Sequence, residues 1–337
     1  MTSHVTGGIM ANSNGRKGRR KRRDVFDERM LIVPFGIMFI LWIVAAVAWQ
    51  QDASRLLVAF LVYVGLFVGA GIGTYIALDQ NRRDLGRRLI MVMMGGLLLV
   101  IAVFSDHGNM QIEGLFWAFI AGIGPYILLH YALAKLVGPL IFGRIWCGWA
   151  CWFGMIFDLM PHQHSRFRLP PRWGWIRYLH FVASFVLVAV LWLSFNYDGA
   201  LGRNGLIWFI SGLLLYYVMG IGLGLIVHDN RAFCKYLCPI SVPLKATSRF
   251  ALLKVAGNKE AECEKCNVCV EMCPMNIDIP KYIKNGQRVL STECTLCLTC
   301  INLCPDDDLW LSFGLDIGGK EHIDYIPPRS RMKPKST

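Results

Sequence analysis

Twelve cysteines carry the densest chemistry in this sequence of 337 residues, and they fall into three groups with none left over. Eight lie in two copies of one run. CEKCNVCVEMCP supplies Cys263, Cys266, Cys269, Cys273 and Pro274, and CTLCLTCINLCP supplies Cys294, Cys297, Cys300, Cys304 and Pro305. This is C-x2-C-x2-C-x3-C-P twice, the spacing with which bacterial chains hold two [4Fe–4S] clusters. Three thiolates on one tight loop take three corners of a cubane, and the fourth cysteine of each run ligates the other cluster. The spacing therefore predicts one cluster on Cys263, Cys266, Cys269 and Cys304 and a second on Cys294, Cys297, Cys300 and Cys273. Zinc sites use paired spacings instead, and a disulfide scaffold does not suit a reducing cytoplasm. Crossed ligation interlocks the two runs, so a domain this small is expected to be largely unfolded without its metal.

The other four cysteines form two C-x3-C pairs, Cys147/Cys151 in GRIWCGWAC and Cys234/Cys238 in FCKYLCP. If the chain is helical there, an i, i+4 pair presents both sulfurs on one face. Four converging thiolates would suit zinc or a further iron–sulfur centre. Redox-active or transiently metal-binding thiols are one alternative, and small buried residues capping helices are another. His162 and His164 lie close enough in sequence to join such a site, although a solvated loop is the better account of them. Haem b on His130 and His180 is disfavoured. At 1.5 Å per residue they sit about 18 and about 7 Å from the same membrane face, a poor match for one ring. A hydrogen bond to a quinone or a neighbouring helix accounts for His130, and Lys135 has a stem long enough to snorkel to the surface.

The elements that position these residues are helices in a membrane. The chain is 55% hydrophobic and 17% charged, against about 25% charged in ordinary soluble proteins. Six stretches are apolar for the roughly 17–25 residues that a span needs: 31–49, 56–78, 87–104, 115–142, 175–196 and 206–227. Basic residues divide sharply between the intervening segments. The N-tail, the 79–88 loop and the 143–174 loop hold sixteen, whereas 50–55, 105–114 and 197–205 hold two, Arg55 and Arg203. The positive-inside rule then predicts that both termini and the cysteine-rich C-terminal domain are cytoplasmic, in a multi-pass protein of the bacterial inner membrane. Seven of the cations in the formal charge of +12 lie in GRKGRRKRR (15–23), suited to anionic lipid headgroups. That run leads into a span rather than a recognition fold, which argues against nucleic acid. Arg22-Arg23 and Ala46-Val47-Ala48 resemble an export signal, but Asp24, Asp27 and Glu28 intervene, and about 17 apolar residues is long for a signal core.

The expected fold is an all-α polytopic membrane domain of about six helices followed by a small α+β domain with two clusters. Its parts are a basic tail (1–30), the membrane domain with one C-x3-C pair in the 143–174 loop (31–227), a C-x3-C-P motif and linker (228–258), the two-cluster domain (259–310) and a C-terminal tail (311–337). Gly65, Gly69 and Gly73 make a small-residue stripe for close helix packing. A fainter repeat relates FGRIWCGWAC (142–151) to DNRAFCKYLC (229–238), each at the end of a span running toward the cytoplasm.

On GRIWCGWAC, FCKYLCP and the doubled cluster run behind membrane spans, the chain resembles the NapH/MauN-type membrane polyferredoxins over roughly residues 55–310. The C-terminal half of NosR and the CcoG/RdxA proteins are related to these. The match at Cys234, Cys238 and Pro239 is complete, whereas Trp152 stands where the family's first pair is followed by proline. The resemblance implies the membrane component of a 4Fe–4S quinol dehydrogenase, an electron-transfer subunit passing quinol electrons to other subunits of a respiratory complex. Two other functions compete. One is a copper reductase or assembly factor binding Cu(I) through Cys147, Cys151, Cys234 and Cys238, which soft thiolates favour. The other is an anchor for a soluble redox enzyme.

Overall fold

The computed structural model describes residues 31–104, 108–122, 124–162, 169–261 and 266–323. The expectations for Cys263, His164 and the basic run 15–23 concern residues outside that set. The described chain is mostly helical, with five helices long and apolar enough to cross a membrane and a sixth candidate that is broken. The first is α1 (Ile32–Gln50), packed against α2 (Arg55–Ala77). Gly65, Gly69 and Gly73 face Trp42, Met38 and Phe35 of α1, so the small-residue stripe is a helix-packing surface.

Helix α3 (Gln80–Phe104) begins seven residues before the expected 87–104. The basic segment does not end it, because its guanidiniums find partners within the protein. Arg83 donates to the carbonyls of Ile76 and Leu78 (both 3.0 Å). Arg87 donates to the Gly148 carbonyl and to Asp158 (both 2.9 Å).

The expected fourth span, 115–142, is not one helix. It divides into α4 (Ile112–Ala121) and α5 (125–142), because Gly122 and Gly124 take left-handed φ values of 66° and 71°, a conformation that costs glycine little. The Tyr131 hydroxyl of α5 donates to the Met110 carbonyl (3.2 Å), so the strand entering α4 runs beside α5. Trp117 of α4 packs on Trp208 and Tyr197, while Glu113, one turn earlier, reaches the bundle interior. Residues 108–121 thus enter the bundle and leave again on the same side.

After α5 the chain turns by 97° into α6 (Ile145–Trp149) and α7 (Trp152–Phe157). The sequence suggested a loop here. Instead the segment folds back beside α3, where Gly95 lies against the Cys151 carbonyl and the Trp152 backbone. At 1.5 Å per residue Gly95 is about 20 Å along α3 from Arg82, so Cys151 lies beside the body of that helix rather than at its start. Two further long helices follow, α8 (Ile176–Phe195) and α9 (Gly202–Val227), then the short α10 (Ala232–Tyr236) and α11 (Ser241–Ser248).

The C-terminal lobe pairs β1 (Leu253–Gly257) antiparallel with β2 (Leu309–Phe313) around short helices α12 (Val268–Glu271), α13 (Ile279–Lys284) and α14 (Thr299–Asn302). Its two cysteine runs repeat in the backbone as well as in sequence. Asn267 and Leu298 have φ of 50° and 61°, and Asn276 and Asp307 have 55° and 53°.

A buried carboxylate fastens the lobe to the membrane domain. Glu293 accepts from Arg144, Arg177 and Lys245 at 2.9, 2.9 and 2.8 Å. Burial alone would raise this carboxyl, but Arg177, Arg144 and Lys245 together hold it well below the ordinary glutamate value of 4.5. Its contribution is therefore complete above that pH and lost as pH falls below it. Glu293→Gln, which leaves three enclosed cations without their anion, is expected to cost about 3–5 kcal/mol. The loss should appear as a lower unfolding midpoint and faster proteolysis of the lobe at pH 7, where the wild type stays intact.

Candidate functional site

The cysteines line three cavities. One of about 400 Å³ is bordered by Cys273, Cys294, Cys297 and Cys300. A second of about 380 Å³ is bordered by Cys266, Cys269 and Cys304. Each gathers cysteines from both runs, and each fourth cysteine also accepts a backbone N–H, Cys273 from Ile277 (3.4 Å) and Cys304 from Asp308 (3.3 Å). None of the described cysteines is in a disulfide.

The third cavity, of about 620 Å³, lies between α3, α5, α6, α7, α10 and α11 and is bordered by Cys147, Cys151, Cys234 and Cys238. Neither pair is carried on one helix, unlike the i, i+4 arrangement that the spacing suggested. Cys147 is in α6, which Ala150 breaks, and Cys151 caps α7 with extended backbone. Cys234 is in α10, and Cys238 follows its end. The two halves are nevertheless built alike, because a buried arginine stands three residues before the first cysteine of each, Arg144 and Arg231.

These arginines make the third cavity cationic. The Arg231 guanidinium binds Asp158 (2.5 Å) and the Cys147 carbonyl (3.1 Å) and points a further N–H at Cys234 Sγ (3.9 Å). Asp158 is already shared with Arg87, and Glu293 is shared by Arg144 and two other cations. Buried positive charge thus exceeds the buried carboxylates that meet it, an arrangement that an anionic occupant would stabilise. Three buried polar atoms of residues lining this cavity have no hydrogen-bond partner among the described residues, Arg144 Nε, His130 Nε2 and Trp152 Nε1. Burial pushes the Cys234 thiol up to about 11 against the pull of Arg231, and it pushes Cys238 higher still. As free thiols these two are neutral at pH 7, whereas a reactive cysteine needs a lowered pKa. No three His, Cys, Asp or Glu side chains among the described residues gather as a single-ion site would require.

His180, His162 and Lys135 each have a definite neighbour. His180 Nδ1 meets the Leu237 carbonyl (2.7 Å) and its Nε2 meets Tyr216 (3.3 Å). His162 stacks edge-on to His228, away from the thiols. Lys135 is half-buried. A wide π-helical turn at Ala132–Val137 holds its ammonium 5.7 Å from the Trp146 ring centre, beside the third cavity.

The third cavity and the first meet through backbone. Gly148, directly after Cys147, lies so close to the lobe that a Cβ there would overlap the Thr295 carbonyl and stand 3.5 Å from the Cys297 amide. Trp149 Nε1 donates to the Leu296 carbonyl alongside (2.8 Å), and Asn302 donates to Tyr75 of α2 (2.8 Å). Sequence reasoning did not identify this junction, for which the only signal was a glycine inside CGWAC.

A 4Fe-4S binding domain model matches residues 125–170 and 205–242, and a 4Fe-4S dicluster domain model matches 256–305. An uncharacterized protein of Methanocaldococcus jannaschii is 29% identical over 196 residues, covering 56% of this chain and 74% of its own. The methylamine utilization ferredoxin-type protein MauN of Methylobacillus flagellatus is 24% identical over 229 residues, covering 59% and 78%. The ferredoxin-type protein NapH of Haemophilus influenzae is 26% identical over 156 residues, covering 44% and 53%. No solved structure matches the chain. Helices, cysteine cavities and domain models together define a membrane-embedded, ferredoxin-type 4Fe–4S electron-transfer protein. Within that class, the chain is a NapH/MauN-type polyferredoxin.

Gly148→Ala is expected to push the Thr295–Cys297 loop away from α6. The lobe clusters should be retained while their reduction through the membrane domain slows at least tenfold, measured by stopped-flow absorbance with a quinol analogue as donor.

Proposed function

We propose that this protein passes electrons between the membrane quinone pool and a partner redox protein, through iron–sulfur groups held in series by its three cysteine cavities. The observation that carries the reading is the junction at Gly148, where the four-thiol cavity adjoins the loop bearing Cys294, Cys297 and Cys300. Bound clusters would supply one-electron transfer. Cys263, Cys266, Cys269 and Cys304 hold one, and Cys294, Cys297, Cys300 and Cys273 hold the next. Cys147, Cys151, Cys234 and Cys238 hold the third, between the membrane domain and the C-x3-C-P segment. The third assignment is supported by the 4Fe-4S binding domain model, since these four are the only cysteines in the two stretches that it matches. Arg144 and Arg231 counter the negative charge of four thiolates and raise the affinity of that site for an electron.

In this reading the membrane domain is residues 31–227, the C-x3-C-P segment is 228–258 and the lobe is 259–310, in the bacterial inner membrane. The division of basic residues, sixteen against two, supports a cytoplasmic lobe and termini. Lipids, quinol and further redox subunits are the partners.

Iron and acid-labile sulfide are to be counted on anaerobically purified protein, with EPR of the reduced form. Wild type should carry about twelve irons, and Cys147→Ser/Cys234→Ser about eight. About eight in both would overturn the third site and return its thiols to copper binding or packing. Clusters that no quinol analogue reduces would favour the anchor function instead.

A further inference from the structure

Away from the cysteines, a buried polar seam runs through the membrane domain. It begins at the turn before α9, where the Asn109 N–H donates to the Ala200 carbonyl (2.7 Å). Asn109 Oδ1 accepts from the Gln111 N–H (3.0 Å), and Gln111 Nε2 donates to the Phe209 carbonyl (3.0 Å). Two residues on, Glu113 Oε1 accepts from Ser184 (3.1 Å) and stands 2.6 Å from Tyr216 Oη. Tyr216 Oη is 3.3 Å from His180 Nε2, and His180 Nδ1 is 2.7 Å from the carbonyl of Leu237, the residue before Cys238. Asn109, Gln111, Glu113, Ser184 and Tyr216 are all buried. Helix packing asks for none of these groups, and a titratable side chain at such depth is costly unless it has a task.

The hydrogen count of the triad is informative. A carbonyl only accepts, so His180 Nδ1 carries a hydrogen, and Tyr216 has one O–H to give. Two arrangements satisfy all three contacts of the line, Glu113 to Tyr216, Tyr216 to His180 and His180 to the Leu237 carbonyl. In one, Glu113 is protonated and donates to Tyr216, which donates to a neutral His180. In the other, Glu113 is ionised and accepts from Tyr216, which accepts from a protonated His180. They interconvert by moving one proton from Glu113 to Tyr216 as another moves from Tyr216 to His180, with no atom or charge gained or lost. Two further atoms on this turn, Gln111 Oε1 and Glu113 Oε2, are buried without a partner among the described residues. Gln111 Oε1 can only accept, and a water molecule donates two hydrogens.

We propose that Glu113, Tyr216 and His180 form a proton-transfer line serving the four-thiol cavity, fed by water at Gln111 and Glu113. One electron arriving at the cavity is matched by one proton that enters from bulk solvent and is relayed by the bound water to Glu113 Oε2, the water being left unchanged, and His180 holds the resulting positive charge near Cys238. The groups facing the line from other elements are Tyr131 on α5, within electrostatic reach of both Glu113 and Cys238, and Ser184 on α8. This inference rests on the reading that the cavity holds a redox centre.

The test is an equilibrium redox titration of full-length protein in lipid nanodiscs across pH 6–9 (about three units around neutrality). It follows the signal that Cys147→Ser/Cys234→Ser abolishes. One proton per electron predicts a fall of about 59 mV for each tenfold drop in proton concentration. Glu113→Gln and Tyr216→Phe should flatten that slope at least threefold while the lobe signals and their iron content stay as in wild type. Redox-difference infrared should show a carboxyl band that Glu113→Gln removes. A pH-independent wild-type potential, or a Glu113→Gln slope as steep as wild type, would overturn the line alone. Absence of any signal dependent on Cys147 and Cys234 would overturn the underlying reading and the line with it.

Discussion

Two guanidiniums set deep in the protein, Arg144 and Arg231, are what the rest of the arrangement hangs on. A charge moved from water into an apolar interior is costly by several kcal/mol unless paired, so each arginine dictates its surroundings. Arg231 draws Asp158, and with it Arg87 and the basic start of α3, toward α7. Arg144 draws Glu293, and with it the whole C-terminal lobe, onto the membrane domain. Both then face the same four thiols. The sulfur chemistry, the bend after α5 and the docking of the lobe are consequences of satisfying these two charges.

The paired half-sites explain how a cavity with four thiols can be assembled from segments far apart in sequence. Each half brings a helix end, one buried arginine and two cysteines. The lobe repeats the strategy at smaller scale, with left-handed residues at matched positions turning each cysteine run around its space. In both places the enclosure is shared between two copies, and neither copy encloses anything alone. Such sharing makes the occupant a structural member, since it would add a link between segments that already pack through Phe153, Phe157 and Phe233 in the one case and through Val270 and Leu296 in the other.

Much of this was legible in the sequence, and the illegible parts have physical causes. Cysteine spacing is set by cubane geometry, so the two runs of the lobe could be read directly. Spans 31–49, 56–78, 175–196 and 206–227 were readable because a long apolar run in water has few other fates, and α1, α2, α8 and α9 match them closely. Helix α3 was underestimated because Arg83 and Arg87 look like surface residues until their partners, carbonyls and a distant aspartate, are in place. The single span at 115–142 dissolved at Gly122 and Gly124, where hydropathy is blind to backbone handedness. The position of Cys151 depends on a bend that no local pattern marks. Glu113 was passed over because an acid at the edge of an apolar run reads as a loop residue, and its partners Ser184 and Tyr216 lie 71 and 103 residues away.

The pairing of Arg144 with Glu293 spans 149 residues of chain. At synthesis rates of about 5–20 residues per second, the arginine enters the bilayer on the order of ten seconds before its carboxylate exists. During that interval Arg144 and Arg177 have only water, lipid phosphate and one another's neighbourhood to rely on. The membrane half of the protein is therefore born in a looser form than it finally keeps, and a residue made 149 positions after Arg144 decides when it tightens. A ribosome stalled before Glu293 would release a chain with every span in place and its centre still open.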